Sequence, residues 1–260
     1  MYGGPAREKL SSLQESRQSM PTDISFSFCR RQGIRAVIFD WDGVVVDSGQ
    51  ASVEAYQRIF REVGIELDQR AIRLREGQPT PELITSLLKQ QGSSVTADEL
   101  RFMVERRRSY DLESGKRRIF PSMFDLIHRL RGAGFQTAVV TGSSRPSLSR
   151  LLTPGLASDL DVLVCAGDVK RPKPDPEPFL LAASRLQSSP AQCVVVENAP
   201  FGIQAALSAG CRVIGLCTTL SEEDLNGAHW IVRNHAELER LLSSSDETDI
   251  GRLIAVLDRS

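Results

Sequence analysis

Asp40 and Asp42 stand one residue apart, directly after the apolar run Ala36-Val37-Ile38-Phe39 and directly before Gly43. A carboxylate can act as a nucleophile that divides one difficult group transfer into two easier ones. A second carboxyl beside it can protonate a leaving group and later activate water. Two such charges repel each other. A hard divalent cation such as Mg²⁺ relieves that repulsion, prefers oxygen ligands and readily shares substrate phosphates. The pair therefore suggests metal-assisted phosphoryl transfer, although an ordinary Asp-Gly turn after a strand would be written with the same letters.

Further segments carry compatible chemistry. Thr141-Gly142-Ser143-Ser144 offers hydroxyl and backbone N–H groups at a helix start, which suit a phosphate oxygen and equally suit plain helix capping. Lys173 lies in Asp168-Val169-Lys170-Arg171-Pro172-Lys173-Pro174-Asp175-Pro176, where each proline fixes φ and stiffens the loop. A cation held that way can neutralise both a phosphate and a nucleophilic carboxylate. Glu197-Asn198, after Val194-Val195-Val196, adds oxygens able to hold a metal.

These residues meet only if particular elements carry them. An uninterrupted, β-prone run such as Ala36 to Phe39 suits a strand covered on both faces of a parallel sheet, and open α/β sheets bind ligands at the carboxyl ends of their strands. Beyond residue 120 helix and strand alternate. Helices are expected at Phe124 to Arg131, Ser147 to Leu152, Pro178 to Leu186, Phe201 to Ala209 and near Leu242, and strands at Gln136 to Val140, Val162 to Cys165, Cys193 to Val196, Arg212 to Leu216 and Trp230 to Val232. That is the grammar of an α/β, doubly wound, Rossmann-like parallel sheet. Between Asp47 and about Phe120 the pattern is helical, with apolar spacing over Ser52 to Val63 and Pro81 to Gln91, a longer charged helix from Thr96 as cap to about Glu113, and no good strand. The expected organisation is a core of residues 33–48 and 121–242, an all-helical insert of residues 49–120, a disordered extension over residues 1–32, and a polar tail over 243–260.

Composition narrows the setting. With 260 residues and a formal net charge of −1, the chain has room for one sizeable core and gives no electrostatic case for nucleic acid. No apolar run approaches the roughly 20 residues that cross a bilayer. The five cysteines, Cys29, Cys165, Cys193, Cys211 and Cys217, are odd in number and lack metal-site spacing, so they read as reduced, mostly buried thiols. A cytoplasmic protein acting on a small metabolite is expected. Acids at Glu8, Glu15 and Asp23 argue against an organelle-targeting leader. Oligomeric state is not legible.

Taken in order, Asp40-x-Asp42, Thr141, Lys173 and Glu197-Asn198 resemble the motif elements of the haloacid dehalogenase superfamily. The segments Phe39 to Ser48 and Val195 to Ile203 are similar to its phosphoglycolate phosphatase and β-phosphoglucomutase subgroup, in which a helical cap domain is inserted after the first motif. The resemblance implies that Asp40 is a nucleophile forming an aspartyl-phosphate and Asp42 a general acid and base. It implies Mg²⁺ bound by the Asp40 carboxylate, the Asp42 carbonyl and Asn198, with Glu197 as a further candidate ligand, and phosphate binding by Thr141, Gly142 and Lys173. Three positions depart from the pattern. Asn198 stands where the family commonly has Asp, Pro172 where it often has Gly, and Glu177 where Asp is usual.

The activity implied is a Mg²⁺-dependent phosphatase for a small phosphorylated metabolite of the phosphoglycolate or sugar-phosphate type. Asp42 speaks against the metal-free dehalogenase branch. Specificity falls to the cap, where Arg75 and Gln78 in the loop Arg73-Leu74-Arg75-Glu76-Gly77-Gln78 are candidates to reach the substrate. Two alternatives remain. A phosphomutase of the β-phosphoglucomutase type is disfavoured because Thr80 falls where such enzymes carry a cap arginine, and a silent binding relative is disfavoured because Asp40, Asp42, Thr141 and Lys173 are all present. None of His128, His229 or His235 falls at a strand end beside a candidate nucleophile, which disfavours a serine or cysteine hydrolase.

Overall fold

The computed structural model describes residues 26–243. Six parallel strands form the main sheet in the order β5-β4-β1-β6-β7-β8. Their ranges are β1 Ala36–Phe39, β4 Gln136–Val140, β5 Val162–Val164, β6 Cys193–Glu197, β7 Arg212–Leu216 and β8 Trp230–Val232. The α/β, Rossmann-like parallel sheet expected from the alternation is thus the fold observed. β1 lies between β4 and β6, and the chain winds outward from it in both directions. The carboxyl end of β1 is therefore a topological switch point, where ligands bind in open sheets of this kind.

The sheet is covered on both faces, and the sequence of β1 shows why it can be. Val37 and Phe39 enter one apolar cluster while Ala36 and Ile38 enter the other, as the two-residue period of a strand requires. All four are fully buried. Each large side chain so covered contributes roughly 1.5–3 kcal/mol of hydrophobic stabilisation.

A third apolar cluster belongs to the helical segment. Its helices are α2 Gly49–Glu62, α3 Gln69–Arg73, α4 Thr80–Gln90 and α5 Ala97–Ser114. Val53, Tyr56, Ile59 and Phe60, the residues whose spacing predicts the first of these, are all buried in the cluster. Thr96 caps α5 as expected: its hydroxyl accepts from Glu99 N at 3.3 Å, and its own N–H donates to Glu99 Oε2 at 2.8 Å.

The structure departs from the sequence reading at several places. Residues 26–32, included in the expected disordered extension, are ordered against the core: helix α1, Ser27–Arg31, is anchored by Phe28 packed edge-on against Trp230 at 5.1 Å and by Phe26 against Phe135 at 5.7 Å. Residues 1–25, and the tail beyond residue 243, lie outside the described residues. A strand does occur where none was expected, because β3, Arg118–Ile119, pairs antiparallel with β2, Val46–Asp47. Two residues are too few to show alternation, and their partners lie some seventy positions away. The helix expected over Ser147 to Leu152 is instead α7, Arg145–Leu148, followed by α8, Pro154–Ser158. Pro146 begins the first early and Pro154 starts the second, since proline suits a helix's opening turn and not its interior.

Four cysteines are buried, Cys217 is half-buried, and all five are free thiols. Among the described residues no helix is long and apolar enough to cross a membrane.

Candidate active site

Asp40 is held by the sheet itself. Its N–H continues the β1–β6 ladder by donating to Val196 O at 3.0 Å, so its side chain emerges at the strand's end. The chain then turns within a few residues: Gly43 N donates to Val46 O at 2.7 Å and Val46 N to Trp41 O at 2.8 Å. Gly43 has a φ of +87°, and a Cβ there would lie 2.1 Å from Asn198 Nδ2. Only glycine tolerates both the left-handed backbone and that approach.

Lys173 is the centre of the charge arrangement. Its ammonium donates to Asp40 Oδ1 at 2.6 Å, to Glu197 Oε1 at 2.6 Å and to Val140 O at 3.1 Å. All three side chains are buried, at 2%, 4% and 0% exposure for Lys173, Asp40 and Glu197. Burial pushes the Asp40 carboxyl above its ordinary range, and the Lys173 charge offsets only part of that rise. Burial also works against the ammonium, but the two carboxylates outweigh it and hold Lys173 protonated.

Glu197, expected among the metal ligands, has both oxygens engaged. Oε1 takes Lys173, and Oε2 accepts from Asn198 N at 3.0 Å and Ala199 N at 3.3 Å. Its geometric role is to orient Lys173. Gly202 makes this possible, because a Cβ at that position would sit 1.8 Å from Glu197 Oε1.

Asp42 faces a different set of partners. Ser143 Oγ donates to its Oδ2 at 2.8 Å, and Arg117 donates to Oδ1. Arg117 also pairs with Asp111 at 3.2 Å. Burial alone would raise the Asp42 carboxyl, but Arg117 with hydrogen bonds from Ser48 and Ser143 leaves it below the usual carboxylate range. Asp42 is accordingly ionised near neutral pH.

Asp40, Asp42, Thr141, Gly142 and Gln78 line one crevice of about 50 Å³. Thr141 is buried, and its hydroxyl accepts from Ser143 N at 3.0 Å, which is the local turn that the capping alternative describes. A Cβ on Gly142 would lie 2.8 Å from Gly77 O, so the loop of the helical segment presses directly on the sheet's edge. Gln78 reaches the crevice with its Oε1 buried and unpartnered. Arg75 does not: it lies outside the lining and donates to Ala71 O at 2.9 Å, within its own helical turn.

Several residues here escaped the sequence reading. Glu76 lines the crevice between the two candidates chosen from its loop, and burial together with the Asp42 charge pushes its carboxyl up to about 8. Its position in that loop was the available signal. Arg107 and Arg117 had none, since each stands in a run of basic residues that singles out no one position. Thr219 accepts from Asn198 Nδ2 at 3.0 Å, and neighbouring Thr218 donates to Gly43 O at 2.6 Å, so the end of β7 braces the loop after β1.

The donor set suits a hard cation. Asn198 is buried, and the hydrogen bond from Nδ2 to Thr219 orients its amide beside the Asp40–Gly43 loop. Among the described residues no cluster of three or more His, Cys, Asp or Glu side chains is gathered as a metal cage. Mg²⁺ does not require one, since it is usually held by one or two carboxylates with water and substrate phosphates completing the shell.

Known proteins resemble this chain over most of its length. Residues 37–216 match the sequence profile of the haloacid dehalogenase-like hydrolases. The chain is 34% identical over 206 residues to validoxylamine A 7'-phosphate phosphatase of Streptomyces hygroscopicus subsp. limoneus, covering 78% of this chain and 95% of that protein. It is also 34% identical to the fructose-1-phosphate phosphatase of Escherichia coli (strain K12), covering 68% and 94%. The solved β-phosphoglucomutase from Clostridium difficile shares the fold, with a TM-score of 0.69, 24% identity, and coverage of 87% of this chain and 100% of that one.

Proposed function

The chain belongs to the haloacid dehalogenase-like hydrolase family, and from that premise we propose that it is a Mg²⁺-dependent phosphatase of small phosphorylated metabolites, of the phosphoglycolate or sugar-phosphate type. The observation that carries the reading is the buried Lys173 ammonium joined at 2.6 Å to Asp40, with Asp42 two residues beyond.

In this mechanism Asp40 attacks phosphorus and becomes an aspartyl-phosphate. Lys173 neutralises charge on Asp40 and on the transferring group, and the Thr141–Gly142 turn receives phosphoryl oxygens. Glu197 keeps Lys173 aimed while its own charge is compensated by two backbone N–H groups. Asp42 serves both half-reactions, but the geometry treats them unequally. Ionised by Arg117 and Ser143, it is ready to take a proton from the water that hydrolyses the aspartyl-phosphate. To protonate a leaving group it must first gain a proton against the pull of Arg117. Mg²⁺, held by the Asp40 carboxylate, the Asp42 carbonyl and the Asn198 amide oxygen, would offset the negative charge brought together by substrate and nucleophile.

The helical segment of residues 49–120 acts as the cap on a core of residues 33–48 and 121–242. Small-molecule pockets run at roughly 300–1,000 Å³, so a crevice of about 50 Å³ under Gly77 and Gln78 describes a closed cap that lifts to admit substrate. Gln78 is then the cap residue placed to touch substrate. Five free thiols suit the reducing cytoplasm.

The test is phosphate release from phosphoglycolate, glycerol phosphate, hexose phosphates and nucleoside monophosphates, with Mg²⁺ and with chelator. Metal-dependent release from at least one is expected. Absence of release from all of them, or release indifferent to chelator, contradicts the proposal. A requirement for a bisphosphate activator would convert it to a phosphomutase.

A further inference from the structure

Of the three histidines weighed in the sequence, His235 is the one that reaches the loop carrying Asp42. It opens the helix His235–Ser243, which follows β8 at the same edge of the sheet as Asp40. Asn234 Oδ1 accepts from Glu237 N at 3.0 Å and caps that helix. Leu238, Leu241 and Leu242 are fully buried in the apolar cluster that also holds Val44 and Val45. The ring therefore projects from a fixed base. Its Nε2 lies 2.8 Å from Val44 O. A carbonyl only accepts, so Nε2 carries the proton. Burial keeps the ring below the ordinary histidine value, with the Val44 bond and the Asp47 charge opposing. The imidazole is thus neutral near pH 7, and this N–H is its single donor.

The turn of residues 41–46 shows what the bond completes. Trp41 O accepts from Val45 N at 3.0 Å and from Val46 N at 2.8 Å, Val45 O from Phe120 N at 3.0 Å, and Val46 O from Gly43 N at 2.7 Å. Gly43 O accepts from Thr218 Oγ at 2.6 Å, and Val44 O takes His235. Asp42 O is the carbonyl of this turn with no hydrogen-bond donor among the described residues, and it is the one expected to face Mg²⁺. Every other carbonyl of the turn is tied, and His235 and Thr218 are the side chains that tie from outside it.

The same ring lies against Phe120, with centroids 4.1 Å apart and a 39° tilt. Phe120 follows β3 directly, where the chain returns from the helical segment, so His235 touches both the outgoing and the returning passage. Val44 is fully buried. Without the imidazole N–H its carbonyl would be left without a donor, and a buried polar group so stranded is costly enough to shift the turn. Asp42 lies two residues away and would move with it. A displacement of about 1 Å at a reacting group can cost up to about 10²-fold in rate.

We propose that His235 is a positioning residue of the phosphatase: through Val44 O, and braced on Phe120, it holds the turn that aims Asp42 at the leaving group and at the attacking water. It does not line the crevice and touches none of the reacting atoms. The inference rests on the phosphatase reading for what Asp42 does, whereas the bracing of the turn can be measured apart from it.

The experiment uses two variants of the full chain. His235→Phe keeps a ring against Phe120 and removes the donor; His235→Gln gives up the ring and offers an amide N–H to Val44 O. Steady-state kcat and KM are measured with Mg²⁺ on the ester that the wild-type protein hydrolyses best, and backbone hydrogen exchange of the segment 41–46 is followed by mass spectrometry. In His235→Phe, kcat should fall about tenfold, the weight of one hydrogen bond. KM should not rise, because Thr141, Gly142 and Lys173 hold the phosphate. The amides of Gly43, Val45 and Val46 should exchange about tenfold faster. His235→Gln should recover most of both losses. A histidine that only stabilises the fold would lower the melting temperature without this split and without rescue. A kcat in His235→Phe within about twofold of wild type, a raised KM in place of a lowered kcat, or no recovery in His235→Gln overturns the inference. Should His235→Phe fail to fold, His235→Ala removes the same donor and is read in the same way. If the wild-type protein hydrolyses no ester, the phosphatase reading fails by itself and exchange decides the bracing: faster in His235→Phe and restored in His235→Gln upholds it, and unchanged exchange overturns it.

Discussion

Glu76→Gln replaces a buried carboxyl by an amide of the same shape, in the loop that closes over the crevice. Glu76 Oε2 is buried without a hydrogen-bond partner, and burial together with the nearby Asp42 charge lifts the carboxyl from 4.5 to about 8, with Arg73 opposing. A carboxyl whose folded value is raised stabilises the fold fully only below its unfolded value, and that contribution is lost as pH rises through the folded value. Integrating the proton difference between 4.5 and about 8 gives a cost of about 1 kcal/mol at pH 5 and about 3 kcal/mol at pH 7. Glutamine cannot ionise and escapes this cost, so the variant should gain stability over wild type, and the gain should grow across that window. Urea unfolding at pH 5, 6, 7 and 8, followed by circular dichroism with chelator present, measures it directly. A difference between the two proteins that stays flat across these pH values refutes the reasoning, since a flat difference has no titration behind it.

Lys173→Met leaves the Asp40 and Glu197 carboxylates buried without their cation. Removing one partner of a buried pair costs about 3–5 kcal/mol, and loss of the preorganised charge should cost at least about 10²-fold in kcat; unfolding curves and steady-state rates check both. Gly202→Ala places a methyl where Glu197 Oε1 stands, at 1.8 Å, so the melting temperature and turnover should both fall, and an unchanged protein would show that Glu197 does not need its position. Arg117→Met removes the charge that holds Asp42 low against burial. The acidic limb of kcat against pH should move to higher pH, and a limb that stays put assigns it to another group.

Much of the site was legible because strand ends are legible. Ala36 to Phe39, Gln136 to Val140 and Cys193 to Val196 are apolar runs with abrupt polar ends, and parallel pairing brings Asp40, Thr141 and Glu197 to one edge without further information. Lys173 was found through the prolines that stiffen its loop. What was hidden depends on contacts across long separations. Arg117 meets Asp42 only because a two-residue strand returns the chain from the helical segment, and nothing local marks that strand. Phe26 and Phe28 sit in a polar stretch without periodicity, and their burial depends on partners at Phe135 and Trp230. Within the loop of residues 73–78, sequence named Arg75 and Gln78, and the backbone turns Gln78 and the unnamed Glu76 toward the crevice while leaving Arg75 outside its lining. Glu197 was read by residue type as an oxygen ligand, and only the neighbouring ammonium and backbone N–H groups show what its oxygens are used for.

The central claim is that Asp40 carries the phosphoryl group. Rapid-quench mixing with a phosphorus-labelled substrate, followed by peptide mapping, tests it most directly. The account predicts transient label on the peptide containing Asp40, and neither label nor turnover in Asp40→Asn. Turnover that survives in Asp40→Asn, or label that settles on another residue, would contradict it.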